Sequence, residues 1–113
     1  MTRHFIDTNI LLYGISDRPH EAAKRRVADA VLDNDDNALS VQVLQEFYHQ
    51  ATRPVRSDAI GHEVAVAVVQ RLCRFPVQPM TVAVMQDAFA IRQRTGYSYW
   101  DSAIIAAAAF FPR

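Results

Sequence analysis

Three acidic residues, Asp7, Glu46 and Asp101, stand at places in the chain where their carboxylates can work together. Asp7 follows the apolar pair Phe5-Ile6, Glu46 lies within two helical turns of Ala38-Leu39, and Asp101 opens a stretch of small apolar residues running to Ala109. If the two apolar pairs are parallel strands, Asp7 and Glu46 reach the crevice beyond the carboxyl ends of the sheet, where ligands bind in open α/β folds. Carboxylates that converge in a partly buried site repel one another and take up protons unless a cation sits among them, and an all-oxygen set suits Mg²⁺ or Mn²⁺. Each acid also has a local use. Asp7 suits a helix N-cap or an Asx turn, Glu46 a solvated helix face beside Gln42, His49 and Gln50, and Asp101 an N-cap favoured by the helix dipole.

The elements that must position these acids follow from periodicity. Phe5-Ile6, with His4, reads as a very short strand that halts at Asp7-Thr8-Asn9, where a helix begins. Residues 20–33 place Ala23, Val27, Ala30 and Val31 at helical spacing and end in the polar run Asp33-Asn34-Asp35-Asp36-Asn37. Ala38-Leu39 is a second strand. Ser40 caps the next helix, on which Val43, Leu44, Phe47, Tyr48 and Ala51 share a face, and Arg53-Pro54 ends it. Ser57-Asp58 open a helix with Ile60, Val64, Ala67, Val68 and Leu72 in register, and Val77-Gln78 is a third strand. Thr81 caps a helix bearing Val82, Met85, Ala88 and Phe89, closed by Gly96 in a left-handed conformation. The last helix starts near Asp101 and is small and apolar on nearly every side, which predicts burial between layers. Short strands alternating with helices give an α/β fold, three layers with a short parallel sheet flanked by helices.

Composition bounds the partners. The chain has 113 residues, half of them hydrophobic, and its 12 Lys and Arg balance 12 Asp and Glu. That is one domain, 1–113, with a real core and no global charge to draw in a polyanion. Lys24-Arg25-Arg26 is the densest basic run, and a solvated helix turn accounts for it. Arg53, Arg56, Arg92 and Arg94 suit either phosphates or solvent. Cys73 alone makes neither a disulfide nor a Cys-rich zinc site and reads as a buried thiol. Neither a signal peptide nor a membrane span is seen, so the expectation is a soluble, cytoplasmic protein. Tyr97, Tyr99 and Trp100 suit base stacking or the core, with packing favoured by the adjoining apolar helix.

Three stretches, Phe5-Ile6-Asp7-Thr8-Asn9-Ile10-Leu11, Leu39 to Phe47 and Tyr97 to Ile105, in that order, resemble the PIN domain, and within it the bacterial toxins of VapC type. The resemblance covers essentially the whole chain. It implies a metal-dependent endoribonuclease, the toxin of a toxin-antitoxin pair, with Mg²⁺ or Mn²⁺ held by Asp7, Glu46 and Asp101. It places Thr8, Asn9 and Ser40 beside that cluster, where hydroxyl and amide groups orient carboxylates or waters. Helix capping explains Thr8 and Ser40 equally well. The implied partners are an RNA substrate, a cognate antitoxin and a second copy of the chain.

Members of this family usually continue past the last buried helix into further strands and another acidic residue. The chain therefore reads as incomplete at its C-terminus, which would leave the first strand unpaired at the sheet edge and one flank of the Ala-rich helix uncovered. Two other functions compete with the enzyme. One is a catalytically impaired PIN fold that only binds antitoxin or RNA. The other is an aspartyl phosphotransferase, which wants a second Asp where Asn9 stands.

Overall fold

The computed structural model describes residues 4–111, so the readings that touch Met1-Thr2-Arg3 and the terminal Pro112-Arg113 lie outside the described residues. In chain order the elements are β1 (His4–Phe5), α1 (Thr8–Gly14), a single 3₁₀ turn (Pro19–Glu21), α2 (Ala22–Leu32), β2 (Asn37–Ser40), α3 (Val41–Ala51), α4 (His62–Leu72), β3 (Val77–Gln78), α5 (Val82–Thr95) and α6 (Tyr99–Phe110). The strands form a parallel sheet in the order β1-β2-β3, with Phe5 opposite Ala38 and Leu39 opposite Val77. This is the expected α/β fold with a short parallel sheet.

Alternation along the strands splits the core in two, because successive side chains point to opposite faces. Ile6 and Leu39 join Leu11, Val43, Leu44, Phe47, Leu72 and Phe75 in a cluster formed with α1, α3 and α4. Phe5 packs instead with Val84, Ala88, Ile91, Ala103, Ala106 and Ala107 of α5 and α6. The small residues of α6 let it lie close along α5 without filling a gap.

Helix starts are set by side chains that accept orphan backbone N–H groups. Asp7, Ser40, Thr81 and Ser98 each accept from the residue three positions on, at the heads of α1, α3, α5 and α6 respectively. Gly96 ends α5 at φ 74°, a conformation that a Cβ would strain.

Several expectations are corrected. Helix α4 begins at His62, not at Ser57-Asp58, because Asp58 is spent on an ion pair. Its carboxylate, buried in the α3–α4 loop, lies 2.6 Å from Arg56 Nε and 3.7 Å from Arg18 Nη2. Arg56 is thereby half-buried rather than free on a helix face. Helix α6 begins at Tyr99, so Ser98 and not Asp101 is its cap. Only one side of α6 is buried; Ile105 and Phe110 are exposed.

The buried faces of three helices also differ from the expected ones. On α2 the fully buried residue is Ala28, and Val31 and Leu32 pack on the cluster around Phe47, while Val27 is 60% exposed. Around α4, Ile60, Val68 and Leu72 pack on the core as expected, but Ala65 is buried where Val64 and Ala67 were expected, and those two face water. On α5 they are Val84, Ala88 and Ile91, with Val82 and Phe89 outside. Each of these helices carries apolar residues on more than one side, so the neighbour it meets selects the face. Cys73 is exposed at the end of α4, contrary to the buried thiol expected. Tyr97 and Trp100 are likewise exposed rather than packed in the core. Among the described residues no helix is long and apolar enough to cross a membrane.

Candidate functional site

Asp7 sits where β1 gives way to α1, its backbone still extended at φ −94°, ψ 171°. Its Oδ1 accepts from the Ile10 N–H at 3.1 Å, so the local capping use foreseen from the sequence is real. The residue remains exposed, and it lines a cavity of about 310 Å³ together with Tyr97, Asp101, Ile104 and Ile105. The fold has thus brought two of the three candidate acids, Asp7 and Asp101, to one hollow. Asp101 stands in the first turn of α6, where the positive end of the helix dipole favours a carboxylate.

Glu46 approaches from α3 and is half-buried. Thr8 Oγ1 donates to its Oε2 at 2.8 Å and Gln42 Nε2 donates to its Oε1 at 3.1 Å. The same Gln42 amide donates to the Trp100 carbonyl at 3.3 Å. A chain of contacts therefore runs from Asp7 through its neighbour Thr8 to Glu46, on through Gln42, and ends at Trp100, the residue before Asp101. Hydrogen bonds to both oxygens of the carboxylate fix its rotamer.

Gln42 is the residue that sequence reasoning undervalued. It is only 2% exposed, and a buried amide on an otherwise apolar helix face must have a polar partner. Its position four residues before Glu46 was the available signal, since side chains so spaced meet on a helix. The same hydrogen-bond pattern identifies its Nε2, because both partners are acceptors.

The remaining candidates divide. Thr8 donates directly to a carboxylate. Ser40 is 1% exposed, and its Oγ accepts from the Val43 N–H at 3.2 Å, so its hydroxyl serves the α3 cap. Asn9 is exposed in the first turn of α1. His49 lies on the rim of a second cavity beside Glu46. Arg92 donates to the Tyr97 carbonyl at 3.0 Å and so braces the loop that carries Tyr97 to the acid pair.

Among the described residues no group of three or more His, Cys, Asp and Glu is gathered tightly enough to hold an ion. Asp7 and Asp101 nevertheless offer hard oxygen donors to a shared hollow that no Lys or Arg lines, and that donor chemistry fits Mg²⁺ or Mn²⁺ better than a softer metal. In this structure both oxygens of Glu46 are engaged by Thr8 and Gln42.

Residues 4–110 match the family described as the PIN domain, which is nearly the full chain. No curated protein matches it.

Proposed function

Because the chain belongs to the PIN domain family, whose members are generally nucleases, we propose that it is a metal-dependent endoribonuclease acting as the toxin of a toxin-antitoxin pair. The observation that carries this reading is the pairing of Asp7 and Asp101 in one cavity, with Glu46 tied to Thr8 beside them. Asp7, Glu46 and Asp101 would hold Mg²⁺ or Mn²⁺. When bound, such an ion neutralises clustered carboxylates, polarises a phosphodiester oxygen and lowers the pKa of water.

The chain's own residues do the positioning. Asp7 is anchored at Ile10 through one oxygen, which holds its carboxylate at the sheet edge. Asp101 is presented by the rigid first turn of α6, fixed in turn by the Ser98 cap. Thr8 and Gln42 hold Glu46 in one orientation by donating to its Oε2 and Oε1. The cytoplasm, a cognate antitoxin and a second copy of the chain complete the proposal.

The engagement of both Glu46 oxygens favours one second reading, a fold that binds antitoxin or RNA without turnover. Purified chain is incubated with single-stranded and hairpin RNA in Mn²⁺ or Mg²⁺, and in EDTA, with Asp7→Asn as control. Cleavage that needs the metal and vanishes in Asp7→Asn establishes the enzyme. Folded protein that is silent in both forms leaves the binding reading.

A further inference from the structure

Resting on the nuclease reading above, we propose that the cavity beside Glu46 takes one unpaired nucleobase of the RNA, stacked on Trp100, so that Trp100 seats a single-stranded nucleotide beside Glu46. The cavity is distinct from the hollow of Asp7 and Asp101. It measures about 490 Å³ and is lined by Gln42, Gln45, Glu46, His49, Gln50 and Trp100. That volume lies within the range of small-ligand pockets, roughly 300–1,000 Å³.

Its chemistry points to a base and not to a phosphate. No Lys or Arg lines it, and Glu46 places a carboxylate in the wall, so an anion is repelled. A flat, neutral group with polar edges is suited. The Gln45 and Gln50 amides offer both donors and acceptors to such edges, and the indole offers a face for stacking, which tolerates any base.

Trp100 is placed as a platform. It is 56% exposed, an unusual position for the largest apolar side chain of the molecule. Its ring meets Tyr99 edge to face at 5.2 Å, and Tyr99 leans on Phe89 at 5.5 Å, so the indole is propped from behind. The buried Gln42 amide ties the Trp100 carbonyl and the Glu46 carboxylate into one frame. A base on the indole therefore stands at a set distance from the acid. A paired base cannot enter without leaving its helix, so the pocket selects single-stranded RNA.

The chain has one tryptophan, so its fluorescence reports this ring alone. The full chain is titrated in EDTA with a single-stranded RNA octamer, with the same sequence as a duplex, and with inorganic tripolyphosphate. Saturable quenching by the single strand only is expected. Trp100→Ala should weaken binding of the labelled octamer about tenfold, Trp100→Phe should retain most of it, and thermal melts report whether each is folded. Should Trp100→Ala fail to fold, Gln45→Ala on the exposed rim should still weaken binding. Under cleavage conditions Trp100→Ala should raise KM and leave kcat. Equal quenching by duplex or tripolyphosphate, or octamer binding by folded Trp100→Ala as tight as by the parent, overturns the base pocket. Quenching without metal-dependent cleavage upholds the pocket and overturns the nuclease reading. Cleavage without quenching does the reverse.

Discussion

Thr8 joins two parts of the candidate site, being adjacent to Asp7 in the chain and hydrogen-bonded to Glu46 across the fold. Replacing it with valine keeps the shape and removes the donor, so Thr8→Val should lower metal-dependent cleavage by about 10- to 100-fold, the usual cost of losing a group that orients a metal-binding residue. The melting temperature should change far less than the activity. A second residue-scale test lies away from the site, at Glu21. The Ser16 hydroxyl donates to Glu21 Oε1 at 2.6 Å and, with smaller help from nearby cations, holds the carboxyl below its ordinary value of 4.5. A carboxyl whose folded value is depressed adds stability at higher pH and loses it as pH falls from 4.5 through the lower folded value. Urea midpoints of Glu21→Gln and the parent should therefore differ at neutral pH and converge under acid conditions.

At the scale of the element, two buried serines should respond with opposite signs. Ser40 caps α3 through its hydroxyl, so Ser40→Ala leaves the Val43 N–H without its partner and should cost about 1 kcal/mol. Ser102 is fully buried in α6, and its Oγ has no partner among the described residues. Ser102→Ala removes an unsatisfied hydroxyl and installs the best helix former, so stability should rise by about 1 kcal/mol. Thermal unfolding of the two variants should move in opposite directions, by roughly 4–8 °C each for a domain of this size. Caps were legible in the sequence because Ser, Thr and Asp act on backbone groups a few residues away. Asp58 was misread for the same reason in reverse: it has the composition of a cap, but its partners, Arg18 and Arg56, are chosen by the fold.

At the scale of the whole molecule, Phe47 is the largest fully buried side chain among the described residues and stands in the cluster that α1, α3 and α4 share. Phe47→Ala should cost about 3–5 kcal/mol, a large part of the 5–15 kcal/mol that holds a small domain together. Denaturant titration should show a much lower midpoint or no folded baseline. The effect should reach the site, because Phe47 adjoins Glu46 on α3 and loss of the helix's seat releases the carboxylate from Thr8.

The order of elements, the short parallel strands, the caps at Asp7, Ser40 and Thr81 and the left-handed Gly96 were all determined by the sequence, since each rests on interactions within a few residues. The three acids and Thr8 were singled out as candidates through their motifs. Which face of α2, α4 and α5 is buried was not legible, because apolar residues lie on several sides of each and only the neighbouring helix or sheet chooses among them. The tertiary structure alone decided that Asp7 and Asp101 share a hollow, that Gln42 links Glu46 to Trp100, and that Trp100 faces solvent. Those relations join residues as far as 94 positions apart, from Asp7 to Asp101, and no local preference encodes such a distance.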